Sequence, residues 1–179
     1  MDSHSAIRLW LMRAAFLALG LVILFFHLLP LDTLPRRWAP PDLLIAFAFA
    51  WCLRRPDYAP TLSVAAVIFA ADLMLQRPPG LTAALVVLGC EYLRNRAAGL
   101  REASFVGEWL AVCLTLAAIM LLNRLTLSMM AVKQAQLSLA LIQLVLTMLA
   151  YPLVVLVTQS LMGVRKPAPS DAEAMAARL

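Results

Sequence analysis

The chain has 179 residues, of which 63% are hydrophobic and 14% charged, with a mean hydropathy of +0.86. Soluble domains run nearer 45–50% apolar and about 25% charged, so this composition excludes a disordered chain and leaves too few polar residues to coat a soluble one. The net charge is +5, but the basic residues are scattered between apolar runs. They form no continuous basic stripe, so nucleic acid is not an expected partner and the charge reads as topogenic.

A membrane span takes about 20 apolar residues, and the length allows about six with short loops. The first apolar run is Ala14–Leu29, after a polar-basic lead with Arg8 and Arg13. More apolar runs follow it, so it reads as a retained helix and not a cleaved signal. Pro30, Asp32, Pro35, Arg36 and Arg37 form a loop. The second run starts at Pro40-Pro41 and ends at Leu53. Its prolines fit a first helical turn, and Asp42 complements the positive helix end. Trp38 and Trp51 are expected at opposite membrane interfaces.

Arg54-Arg55-Pro56-Asp57 is a tight connector. The third run is Ala59–Leu75, with Asp72 near its end. Gln76-Arg77-Pro78-Pro79-Gly80 makes a sharp turn into the fourth run, Leu81–Leu93, which carries Glu91 near its end. Residues Arg94–Glu108 are the most polar loop, with room for an amphipathic stretch at the membrane surface. The fifth run is Trp109–Leu122, ending at Asn123-Arg124. The sixth is Leu137–Met162, with Pro152 marking a kink. The second and fourth runs are short for spans and fit either shielded or re-entrant segments.

The expected fold class is therefore all-α: a polytopic bundle of about six transmembrane helices. It divides into a cytoplasmic lead (1–13), a single helical domain (14–162) and a cytoplasmic flexible tail (163–179). In the tail, Ser170 and Glu173 fit a capping box. With both termini inside, the inner side holds ten basic residues and the outer side five, which agrees with the positive-inside rule.

Chemistry inside the membrane needs converging polar groups, and the candidates are Asp72, Glu91, Asn123, Arg124, Gln143 and Gln159. No nucleophile elbow, zinc-protease helix, phosphate loop or dinucleotide fingerprint is present. Cys52, Cys90 and Cys113 form no CxxC pair, and His4 and His27 lie apart from them. The expectation is a protein without catalytic, cofactor or metal-binding residues. Asp72 and Glu91 have structural readings near helix ends, Arg124 a snorkelling one, and Gln143 and Gln159 one as bridges between helices. The pairs Ala14/Ala18, Ala46/Ala50 and Ala66/Ala70 offer close packing.

Pro41-Asp42-Leu43-Leu44, then Ala70-Ala71-Asp72-Leu73 followed by Pro79-Gly80-Leu81, and Pro152 in the last helix give an order of features that resembles the bacterial rod-shape-determining MreD family. Trp51 with Arg54-Arg55-Pro56-Asp57 and the turn Gln76–Gly80 resemble its alphaproteobacterial branch. The resemblance covers roughly the whole chain, and Asp72-Leu73 with Gly80-Leu81 is its most specific part. A departure is the Ala-rich third helix, where members often carry glycine.

The resemblance implies a multi-pass protein of the bacterial inner membrane. It implies a non-enzymatic scaffold or regulatory subunit of the side-wall peptidoglycan elongation complex. The implied partners are the bitopic protein MreC, the MreB filament system, the glycosyltransferase RodA and a class B penicillin-binding transpeptidase. Pro41, Asp42, Asp72, Gly80 and Pro152 are the candidate structural or partner-binding residues. Membrane lipid is a further expected partner; Arg54, Arg55 and the Arg94–Arg101 loop read first as topogenic charge, and otherwise as contacts for anionic lipid or a cytoplasmic filament. The alternative is a small-molecule-binding subunit of an energy-coupling-factor-like transporter, for which Asp72, Arg77, Asn123 and Arg124 supply a polar cluster near one face.

Overall fold

The computed structural model describes residues 3–29, 39–102, 105–132 and 134–162. These are all-helical: α1 (Ser3–Leu28), α2 (Leu43–Arg54), a 3₁₀ turn (Pro56–Tyr58), α3 (Thr61–Met74), α4 (Leu81–Glu102), α5 (Phe105–Met129) and α6 (Leu137–Met162). The loop from Pro30 through Trp38, Lys133, and the tail with Arg165, Lys166, Ser170, Glu173 and Arg178 lie outside the described residues.

Among the described residues three helices are long and apolar enough to cross a membrane: Ile7–Leu28, Phe105–Met129 and Leu137–Ser160. Each turns large apolar side chains outward, among them Phe25 and Phe26 on α1, Leu114 and Leu121 on α5, and Leu149 and Leu153 on α6. In water such faces carry a heavy hydrophobic cost, and in lipid they carry none. The chain is a helical bundle built for a membrane.

At its centre lies α2. It is 12 residues long, or about 18 Å at 1.5 Å per residue, against a hydrocarbon core of about 30 Å. All of its residues from Leu44 to Arg54 are buried, and α1, α3, α4 and α6 pack around it, with α5 closing against α4 and α6. Its shortness is thus resolved by shielding within protein. Trp51 is fully buried, and its ring meets Phe16, Phe47 and Tyr58 at centroid distances of 5.6, 5.3 and 6.4 Å. This corrects the interfacial expectation for Trp51: the tryptophan anchors the core and not the bilayer edge.

Pro41 also differs from expectation. The helix starts at Leu43 with Asp42 as its N-cap, so Pro41 precedes the cap and is not in the first turn. The polar stretch from Arg94 to Glu102 is not a loop but the continuation of α4, and Glu108 lies inside α5.

Close approach comes from two glycines. A Cβ on Gly20 of α1 meets Val67 Cγ1 of α3 at 2.8 Å, and one on Gly89 of α4 meets Ile119 and Thr115 of α5 at 3.0 Å and Phe49 of α2 at 3.1 Å. Of the alanine pairs, Ala46/Ala50 is buried on α2, while Ala14, Ala18 and Ala66 face outward.

Candidate functional site

Polar groups gather at both ends of the bundle, and the direction of α2, from Asp42 to Arg54, names the ends. At the Arg54 end, the guanidinium of a buried Arg54 donates through Nε to Glu108 Oε1 at 3.2 Å and through Nη1 to Gln159 Oε1 at 3.2 Å. The Tyr151 hydroxyl donates to the same Glu108 oxygen at 2.9 Å. The network joins α2, α5 and α6, and Glu108 and Tyr151 are both fully buried. Residues Thr147, Tyr151 and Val155 recur at i, i+4 spacing on the buried face of α6, which carries Tyr151 inward. Burying a charge is tolerable only when it is paired and hydrogen-bonded, and here the pair supplies both.

Beside it, Arg94 of α4 ties its own helix to the start of α3 and to the connector before it. Its Nη1 donates to Glu91 Oε1 at 2.5 Å and to Thr61 Oγ1 at 2.7 Å, and its Nη2 donates to the Ala59 carbonyl. Thr61 in turn donates to Glu91 Oε1 at 2.7 Å. Glu91 is therefore a link in the middle of α4, not a carboxylate near a helix end. Arg54 and Arg94 are both engaged by side chains and carbonyls inside the protein.

At the opposite end, Asp42 does three things. Its Oδ1 accepts from the Ile45 amide at 3.3 Å, its own amide donates to Thr147 Oγ1 of α6 at 2.8 Å, and its Oδ2 meets Arg77 Nη1 at 3.5 Å. A carboxylate cap satisfies an orphan amide and complements the helix dipole. The Asp42–Thr147 bond also fixes α2 against α6.

Asp72, fully buried near the end of α3, caps a different helix: its Oδ2 accepts from the Ala83 amide in the first turn of α4 at 3.2 Å. Between them the chain turns sharply. Arg77 N–H donates to the Asp72 carbonyl and Gln76 N–H to the Leu73 carbonyl, with Gln76 at φ +54°. This is the double-bonded C-terminal motif that usually takes glycine at the left-handed position. Gly80, at φ +86°, then leads into α4, its carbonyl accepting from Ala84 N at 2.8 Å.

Of the five candidate residues, Pro41, Asp42, Asp72 and Gly80 belong to this end. Pro152 lies apart, within α6. Its ring removes the amide that Met148 would have used, and the Trp109 indole takes that carbonyl instead, at 2.8 Å.

A cavity of about 340 Å³ opens at the Asp42 end between α2, α4, α5 and α6, lined by Asp42, Arg77, Asn123, Arg124, Gln143 and Thr147 among others. Three of the four residues expected in a polar cluster, Arg77, Asn123 and Arg124, meet there, whereas Asp72 lines a separate small crevice. Its volume falls at the low end of the range of ligand sites. Among the described residues no three of His, Cys, Asp and Glu converge for a metal.

Comparison with family models, with curated proteins and with solved structures finds no match for the chain. The resemblance to the MreD family rests on the residues quoted above.

Sequence reasoning missed Glu108, Tyr151 and the partnership of Arg54. Only the apolar sequence following Glu108-Trp109 and the spacing on α6 pointed toward them, and neither names a partner.

Proposed function

We propose that this chain is a non-enzymatic scaffold or regulatory subunit of the bacterial wall-elongation machinery, seated in the inner membrane with both termini cytoplasmic. It binds an MreC-like bitopic protein by helix–helix docking. Through that contact it couples, directly or indirectly, to the MreB filament system, RodA and a class B transpeptidase. The observation that supports this reading is the block from Asp72 to Leu81. The stretch most specific to the resemblance is also a turn braced by a buried carboxylate and a left-handed glycine. The outward apolar faces of α1, α5 and α6 are surfaces on which a partner's membrane helix packs by shape.

Detergent co-purification of the tagged protein at native level, followed by mass spectrometry, tests it. Recovery of a bitopic single-helix protein with wall synthases supports the scaffold. Recovery of ATP-binding and coupling subunits of a transporter overturns it. The cavity holding Arg77, Asn123 and Arg124 favours that second reading, a small-molecule-binding transporter subunit.

A further inference from the structure

The cavity at the Asp42 end does not stand alone. A groove of about 840 Å³ runs along the outer face between α5 and α6, lined by Leu121, Leu125, Leu137 and Leu141 with Arg124 at its margin. Cavity and groove share Met120, Arg124, Gln134 and Leu144. Both are lined mainly by apolar side chains, and the charged and amide groups Asp42, Arg77, Asn123, Arg124 and Gln143 lie on the walls of the inner one, which continues into the groove on the face turned to lipid.

Among the described residues the charges lining the chamber do not balance: Arg77 and Arg124 stand against the carboxylate of Asp42. Arg77 reaches Asp42 only at 3.5 Å, a long contact, and remains partly exposed. Arg124 meets no carboxylate among the described residues; its Nη1 donates to the Ala135 carbonyl at 3.3 Å. A guanidinium carries five donors in a planar fork suited to phosphate oxygens, so most of the binding capacity of Arg124 is open. Asn123 and Gln143 add neutral donors and acceptors to the same wall.

Depth fits as well. Arg124 lies five residues before the end of α5 at Met129, about 8 Å along the axis at 1.5 Å per residue. That places a helix-end guanidinium near the head-group layer of one leaflet.

We propose that cavity and groove form one binding site for a membrane lipid with an anionic phosphate head group. The phosphate sits between Arg77 and Arg124, with Asn123 and Gln143 as hydrogen-bonding neighbours. The hydrocarbon chain lies along the α5–α6 groove. A cation is repelled by the excess positive charge, and a partner helix leaves the chamber unfilled. A small soluble anion fills the chamber and leaves the groove bare.

The test uses delipidated, full-length protein in detergent. Dioctanoyl phosphatidylglycerol, dioctanoyl phosphatidylcholine and glycerol phosphate are titrated separately. Retention is read by native mass spectrometry and melting by a thermal-shift assay. Phosphatidylglycerol is expected to bind saturably and more tightly than either comparator. Arg124→Gln weakens it about tenfold, the loss of charged hydrogen bonds to one group. Leu141→Trp, which fills the groove from a half-exposed position, weakens the lipid without altering the melting of the unliganded protein. Equal binding of phosphatidylcholine with no effect of Arg124→Gln overturns the proposal. So does glycerol phosphate binding as tightly as the lipid with no effect of Leu141→Trp, because the site then takes a free anion.

Discussion

Trp109 and Pro152 are coupled through a single carbonyl. The proline leaves Met148 O without its helical donor, and the Trp109 indole, from the neighbouring helix, donates to it at 2.8 Å. A kink-forming residue in a membrane helix exposes a backbone acceptor that lipid cannot satisfy. Here the exposed acceptor becomes the point at which α5 grips α6.

That coupling gives a thermodynamic cycle. Trp109→Phe removes the donor and leaves the carbonyl unpaired, a loss of about 1–3 kcal/mol. In a Pro152→Ala background the helix regains its own amide, and the same Trp109→Phe change costs less. Thermal melting of the four proteins in detergent measures the coupling. Equal costs in the two backgrounds overturn it.

The Asp72 cap predicts a chemical distinction. Asp72→Leu leaves the Ala83 amide buried without an acceptor and lowers stability by about 1–3 kcal/mol, seen as reduced membrane accumulation and weaker partner co-purification. Asp72→Asn keeps an acceptor for that amide and removes a buried charge whose Oδ1 has no hydrogen-bond partner. It is expected to accumulate close to wild type. Asn and Leu variants failing alike shows that the charge, and not the cap, is what matters.

The α3–α4 turn holds two residues in the left-handed region, one of them not glycine. Gln76→Gly relieves a steric cost at φ +54° and raises stability by about 1 kcal/mol, whereas Gly80→Ala, at φ +86°, imposes a similar cost. Opposite shifts in melting temperature are the expected result. A Gly80→Ala protein melting at or above wild type refutes the role given to this glycine.

How far the sequence foretold this depends on whether a residue's role is set by its neighbours along the chain or across it. The bounds of α6 were readable because Leu137–Met162 is a long, mostly apolar run without a single charged residue. That Asp42 serves the start of α2 was readable because it sits beside that helix, although the sequence placed it in the first turn and the structure makes it the cap. The length of α4 was not, since Arg94 looks like the end of an apolar helix until Thr61, Glu91 and Ala59 are seen to receive its donors. Trp51 misled for a related reason: tryptophan prefers interfaces, but α2 is central and too short to bring both of its ends to the bilayer edge. Asp72 stands near a helix end, as its position suggested, yet its side chain turns inward to the next helix and away from the head groups. In the Asp42-end cavity, Arg77, Asn123 and Arg124 were legible as polar groups at one end of the bundle. Asp42 and Gln143 joined them only once α2 and α6 had been set side by side.

The least legible feature yields the sharpest prediction. Arg54 and Glu108 are 54 residues apart and meet where both are buried. Removing one partner strands a charge in a low-dielectric interior, so Arg54→Met or Glu108→Leu alone costs about 3–5 kcal/mol. Glu108→Leu also leaves the Tyr151 hydroxyl without its acceptor. Replacing both charges removes the stranded ion, so the double variant melts above either single one even though it carries more changes. Adding Tyr151→Phe to the double variant deletes the remaining orphan hydroxyl and raises melting further. Melting curves in one detergent, with accumulation in membranes as a second readout, decide the matter. A double variant less stable than both singles means that the pair is not the unit, and that Arg54 and Glu108 stabilise the bundle through separate partners.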